Sequence, residues 1–273
     1  MIFQHNVESQ IWKRHAEVTT NPVKRAIFRK QWQLTCDWER VCDDAVDGQV
    51  AVSSDDCKFF REELGLKKIL GDVPTGVDLE FFSPPTKPRK PRSLVFLGSM
   101  DWMANIDGVT FFAQEILPLV RHKYPDVELT VVGRNPPPKI KSLETADGRV
   151  RVTGTVDDVR PFLAEAAVMI VPLRVGGGTR IKIFEGMATA IPVVSTRIGA
   201  EGLPVTHGEN ILLADAPQDF AGQIAALFER PERAVCIGAN GRALVQSQFS
   251  WEAVNQVFVA HCQRAYAVGK QRE

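Results

Sequence analysis

The chain has 273 residues, 44% hydrophobic and 24% charged, a globular balance with room for two domains or one large one. Its 33 basic and 33 acidic side chains cancel, which argues against a dedicated nucleic-acid binder, because no excess positive charge is present to release counterions. The five cysteines (Cys36, Cys42, Cys57, Cys236, Cys262) include no CxxC pair and suit reduced thiols in a cytoplasm, no apolar run reaches the roughly 18 residues of a membrane span, and MIFQHNVES is too short and polar for a signal peptide.

In residues 1–92, IFQHNV predicts at best one strand and residues 22–44 a long helix. GQVAVS predicts a second strand and SDDCKFFREEL a further helix. Lys13, Arg14, Lys24, Arg25, Arg29 and Lys30 gather here, with Glu17 the one acid among them. Two readings of this cluster stay open. It is a solvated helix face, or it is a surface that meets anionic lipid headgroups, where each basic residue contributes about 1 kcal/mol. The Pro- and Lys/Arg-rich VPTGVDLEFFSPPTKPRKPRS predicts an interdomain linker. So few strands do not make an independent doubly wound sheet, and residues 1–92 are expected to be an incomplete domain plus linker.

From Ser93 strands and helices alternate. SLVFLGSM predicts a buried strand, and the helix of NIDGVTFFAQEILPLVRHKYP follows with Pro118 expected to bend it or to mark an irregular last turn. VELTVVG, VRVTGTV and VMIVPL predict strands, with DVRPFLAEAA a helix between the last two. After the stretch VGGGTRIKIFEGMATA come PVVSTRI and NILLA, and from Gln218 the chain reads helical to its last residues. Runs apolar enough to be covered on both faces predict an α/β domain over residues 93–250, a parallel sheet with helices on either side. Residues 251–273 predict a C-terminal helix that packs back towards the N-terminal part.

Ligands of open parallel sheets sit at the carboxyl ends of strands. Gly176, Gly177 and Gly178 follow the VMIVPL strand, and a helix is expected to begin near Thr179. Glycine admits close backbone approach, and the helix start offers unpaired N–H groups suited to an anion. Helix starts favour acidic residues, yet this one carries Arg180 and Lys182, a placement that opposes the macrodipole by roughly 0.3–1 kcal/mol each unless an anion intervenes. Glu185, one turn further, can accept two hydrogen bonds from the vicinal hydroxyls of a ribose. The alternatives are a plain strand-to-helix turn and a Lys182–Glu185 surface pair. Gly186 inside the helix implies close packing against a neighbour.

The stretch GGGTRIKIFEGMATAIPVVST resembles the donor-site motif of the family 4 retaining glycosyltransferases of the GT-B fold, and is most similar to the bacterial exopolysaccharide-type members. HNVES, AVSSDD, VPTGVDLEFFSP, FLGSMDWMANIDGVTFF, VVGRNPP, VRVTGTVDDVRPFLAEAAVMIVPLR, GAEGL and HGENILLAD fall in that family's order, so the resemblance covers nearly the whole chain. It implies a complete C-terminal Rossmann-like domain beside an incomplete N-terminal one. It also implies Glu185 as the second Glu of the E-x7-E motif, on the donor ribose. The first Glu falls at Gly177, which leaves the donor sugar to the backbone of the loop Gly176–Gly178 and Thr179. Arg180 and Lys182 are implied to neutralise the leaving diphosphate. Where relatives carry an Arg and a Lys after the first strand of this domain, the chain reads Ser99 and approximately Asn105, while Gly98 and Ser99 keep backbone contacts to a phosphate. His5 of HNVES is implied on the acceptor side, with Glu8 a weaker companion. No Asp-x-Asp occurs, so no carboxylate-bound metal is expected.

The expected activity is transfer of a hexose-type sugar, with retention, from a UDP- or GDP-sugar to a glycan or polyprenyl-linked acceptor, without a cofactor, in the cytoplasm or peripherally at the inner membrane face. The alternative is a nucleotide-sugar-binding fragment, or one half of a split enzyme. An epimerase of the same fold does not account for HNVES and PTGVD.

Overall fold

Local sequence starts several elements. Asn21 caps a 24-residue helix by accepting hydrogen bonds from the N–H groups of Val23 and Lys24, and Pro22 stands in the first turn, where its missing N–H is no loss. Ser53 caps the helix after it by accepting from the Asp56 N–H. A computed structural model describes residues 1–19, 21–175 and 180–270. Two compact units emerge, residues 1–76 with the stretch from Glu252 onward, and residues 77–251.

The first unit runs β1 (Ile2–Phe3), α1 (Glu8–Val18), α2 (Pro22–Ala45), β2 (Gln49–Ala51), α3 (Ser54–Glu62) and β3 (Ile69–Asp72). Its three strands are parallel, in the order β1-β2-β3. Phe60, Ala51, Cys57 and Leu66 form one apolar cluster beneath α2 and α3. Neither α1 nor β3 is delimited by the sequence pattern, because both are short and flanked by polar residues.

The second unit contains β4 (Lys90–Leu97), α4 (Met103–Phe111), a π-helical turn (Phe112–Ile116), α5 (Leu117–Lys123), β5 (Glu128–Val132), α6 (Pro138–Lys141), β6 (Val150–Val152), α7 (Arg160–Glu165), β7 (Ala166–Val171), α8 (Ile181–Ala188), β8 (Val193–Ser195), β9 (Leu212–Leu213), α9 (Pro217–Glu229) and α10 (Pro231–Gln248). Its six strands are all parallel, in the order β6-β5-β4-β7-β8-β9. Chain order therefore reverses direction between β4 and β7, the place where doubly wound sheets bind ligands. The α/β architecture expected from the sequence is the one observed.

Two boundaries differ from expectation. The strand expected from Ser93 begins at Lys90, inside the supposed linker, and pairs Lys90 with Ala166 across an irregular register. Ser93 repairs that irregularity: its hydroxyl donates to the Lys90 carbonyl at 2.5 Å and accepts from the Ala167 N–H at 2.9 Å. Pro118 stands in the first turn of α5 and not in the helix's last turn. The π-helical turn just before it widens the backbone and lets the helix continue through α5.

The last helix, α11 (Trp251–Lys270), belongs with the first unit from Glu252. Val254 packs with Val50 and Val73, and Arg264 donates to the Leu70 carbonyl at 3.0 Å. Among the described residues no helix is long and apolar enough to cross a membrane.

Candidate functional site

The apolar runs Leu94–Leu97 and Val168–Val171 are buried and set β4 beside β7, so the loops leaving their carboxyl ends are neighbours. Gly98 and Ser99 follow β4. Arg174 follows β7 and α8 opens at Ile181, with Arg180 just before it and no acidic residue in the first turn. Gly176, Gly177, Gly178 and Thr179 lie outside the described residues.

Lys182 turns across the switch point. Its Nζ donates to Asn105 Oδ1 at 2.8 Å and stands 4.6 Å from the centre of the Phe96 ring. Asn105 Nδ2 donates onward to the Ser99 carbonyl at 2.7 Å. Gly98 makes room for this arrangement: a Cβ there would lie 2.7 Å from Lys182 Nζ and 2.8 Å from Asn105 Cγ. Desolvation, aided by the nearby Arg180, pushes the Lys182 ammonium down to about 7. Arg180 is buried and donates from Nη2 to the Ile198 carbonyl at 3.0 Å, which ties it to the loop after β8. The two cations thus come off one helix start and reach towards different loops.

Glu185 is half-buried on α8, and burial raises its carboxyl above the usual range while Lys182 opposes the shift. The surface pair considered between Lys182 and Glu185 is not formed within 4 Å, since the ammonium is taken by Asn105 instead. Gly186 is where the sequence places a close approach, and a Cβ on it would meet Met169 Sδ of β7 at 2.4 Å.

Two further cations flank the site, and neither is singled out by the sequence. Arg134, after β5, donates from Nε to Ser99 Oγ at 3.0 Å and to Asp101 at 2.9 Å, while Asn135 donates to the same carboxylate. Those hydrogen bonds, from Asn135 first and then Ser99, hold Asp101 below the usual carboxylate range. Arg174 pairs with both carboxylate oxygens of Asp107 and stacks 4.5 Å from the centre of Phe111. The VVGRNPP segment carried the signal for Arg134: a cation directly after a strand, on the loop side of the sheet.

His5 belongs to the first unit, exposed just past β1, with its ring centroid 4.7 Å from that of Phe3. Glu8 opens α1, and its Oε1 lies 3.4 Å from Asn6 Nδ2.

Residues 91–230 match the family described as "Glycosyl transferases group 1". An uncharacterized 44.6 kDa protein in the cps region of Klebsiella pneumoniae is 25% identical over 169 residues, 59% of this chain and 44% of that protein. The GDP-mannose-dependent monoacylated alpha-(1-6)-phosphatidylinositol monomannoside mannosyltransferase of Corynebacterium glutamicum is 26% identical over 230 residues, 77% of this chain and 60% of the relative. The chain spans about half the length of the curated relatives it matches. Among solved structures, Anabaena HepE in complex with UDP superposes with a TM-score of 0.72 at 16% identity, over 96% of this chain and 71% of that one. That likeness speaks for the fold, which is of the GT-B type.

Proposed function

The chain belongs to the group 1 glycosyl transferases, and from that premise we propose that it transfers a hexose-type sugar from a nucleoside-diphosphate sugar to a glycan or lipid-linked acceptor. The observation that carries the reading is the pair Lys182 and Glu185 on α8. One is a cation held over the switch point by Asn105, and the other a half-buried carboxylate that makes no hydrogen bond to another described residue. A diphosphate beside Lys182 and Arg180 would restore full charge to the ammonium and offset the developing negative charge as the glycosidic oxygen leaves. A ribose diol would supply the two donors that the Glu185 carboxylate lacks. Gly98 and Ser99 belong to the donor site in this reading, as do Gly176, Gly177, Gly178 and Thr179, which lie outside the described residues, and His5 is assigned to the acceptor or the sugar in transit by the family resemblance.

The finer points belong to the same proposal: membership in the family 4 retaining branch, retention of anomeric configuration, and leaving-group stabilisation by Arg180 and Lys182 without a metal ion. Relatives named as GDP-mannose-dependent and a structural neighbour holding UDP support a guanosine or uridine diphosphate donor. A cytoplasmic setting is supported by the five free cysteines.

Calorimetric titration of UDP, GDP and ADP into the protein and into Glu185→Ala tests the reading. One nucleotide is expected to bind, and the variant to bind it about 1–3 kcal/mol more weakly, as for a lost charged hydrogen bond. Binding of none of the three to a folded sample overturns the donor site. Transfer that continues in EDTA and yields a product with the donor's anomeric configuration supports the finer points, and the opposite results remove them.

A further inference from the structure

Helix α2 carries two features that sugar transfer does not use. The first is an exposed apolar stripe of Val23, Ile27, Leu34, Trp38 and Val41, each between 49% and 67% exposed. At about 100° per residue the five fall within about 60° of arc. Ile27, Leu34 and Val41 recur at the seven-residue spacing of a helix–helix seam. The opposite face already anchors α2 to its own unit. Cys36 is buried there, Glu39 accepts from the Ser9 N–H, and Asp43 accepts from Gln49 and from the N–H groups of Lys67 and Lys68. The stripe is therefore a second face.

The second feature is charge. Lys24 and Lys30 flank the stripe in the first half of α2, Arg25 and Arg29 lie on its other side, and the exposed Asp37 and Asp44 stand in the second half with Arg40. Both placements oppose the helix macrodipole. Helix α1 already packs antiparallel against the other face, through Ser9–Glu39 and Trp12–Phe28, and on the stripe itself an antiparallel neighbour would set Lys30 opposite an acid.

We propose that α2 pairs antiparallel with α2 of a second copy of this chain, about a two-fold axis at Leu34. In that register Leu34 meets Leu34 and Ile27 meets Val41. Lys30 and Asp37, which lie on the same edge of the stripe, face each other twice across the axis. Asp37 also bridges Arg40 at 3.2 Å, an exposed pair that competes little. A parallel pairing would stack the two basic halves together. An anionic bilayer suits Lys24 and Lys30, but it would press Asp37 and Asp44 against like charge beside Trp38 and Val41. The charge order favours the second copy over both.

Sedimentation equilibrium on the full chain tests this, with variants at exposed positions only. A dimer is expected, and Leu34→Glu, which opposes two carboxylates on the axis, is expected to leave monomer. Lys30→Glu should weaken the dimer about tenfold, and adding Asp37→Lys to it should restore the affinity. Leu34→Cys should oxidise to a covalent dimer well above the background of the native thiols. A monomer at all concentrations, a dimer indifferent to Leu34→Glu, or a double variant no better than Lys30→Glu overturns the pairing. Phosphatidylglycerol vesicles that capture a monomeric chain, and lose it with Leu34→Glu, assign the stripe to membrane and overturn it equally.

Discussion

The Lys182 ammonium is held by Asn105, 77 residues earlier in the chain, through a 2.8 Å hydrogen bond across the reversal point of the sheet. In many relatives a cation stands near that position, as the family resemblance implies. Here an amide carbonyl stands there instead and draws a cation in from α8. One positive charge on α8 is thus tied to α4, and its protonation becomes sensitive to what else occupies the gap.

Proton uptake should accompany nucleotide binding. With Lys182 at about 7 in the free protein, most molecules hold it neutral at pH 8, and a bound diphosphate favours the charged form. Calorimetry at pH 8 in buffers of different ionisation enthalpy should report uptake of up to about one proton. The uptake should shrink at pH 6, where the ammonium is already formed, and vanish in Lys182→Met. An equal heat in all buffers would place the ammonium fully charged before binding.

Glu185 sets an acid limit. Its carboxyl is raised by burial, so the ionised form that accepts from a diol is lost on acidification earlier than for an ordinary glutamate. Nucleotide affinity should therefore fall as pH drops through that raised value and be flat with pH in Glu185→Gln over the same interval. A wild-type profile as flat as the variant's would remove Glu185 from the ligand.

Gly98→Ala should weaken nucleotide binding more than it weakens the fold. The added Cβ displaces Lys182 Nζ and Asn105 rather than core atoms. Affinity should drop about tenfold, equivalent to ~1.4 kcal/mol, with Tm nearly unchanged. A large loss of Tm with intact affinity would show that β4 itself moves.

Gly186→Ala should do the reverse. Alanine gains about 1 kcal/mol in helix propensity, but overpacking against Met169 costs about 1–3 kcal/mol. Chemical denaturation should show a net loss of about 1 kcal/mol from those two opposing terms. A gain in stability would mean that α8 lifts off β7 without penalty.

The second unit is legible in the sequence where its signals are local. Apolar runs such as Leu94–Leu97 and Met169–Val171, short and followed by glycine or proline, read as strands covered on both sides, as they are found. The start of β4 is not legible, because Lys90, Pro91 and Arg92 have linker composition and are made strand-like only by pairing with β7. The Asn105–Lys182 bond is hidden for a similar reason: no pattern along the chain joins positions that meet only once the sheet is ordered. Pro118 reads as a bend or an irregular last turn, and only the backbone shows the wider turn that precedes it.

The first unit is closed by α11. Val254 completes the cluster with Val50 and Val73, His261 lies against Gly71 and 3.3 Å from the Asp72 carbonyl, and Arg264 holds the Leu70 carbonyl. During synthesis, β2 and β3 must wait for residues 77–251 to be translated before this helix exists. At about 5–20 residues per second that delay is on the order of ten to thirty seconds, long enough for the second unit to finish folding first. At the ribosome the second unit is therefore complete before α11 can close the first.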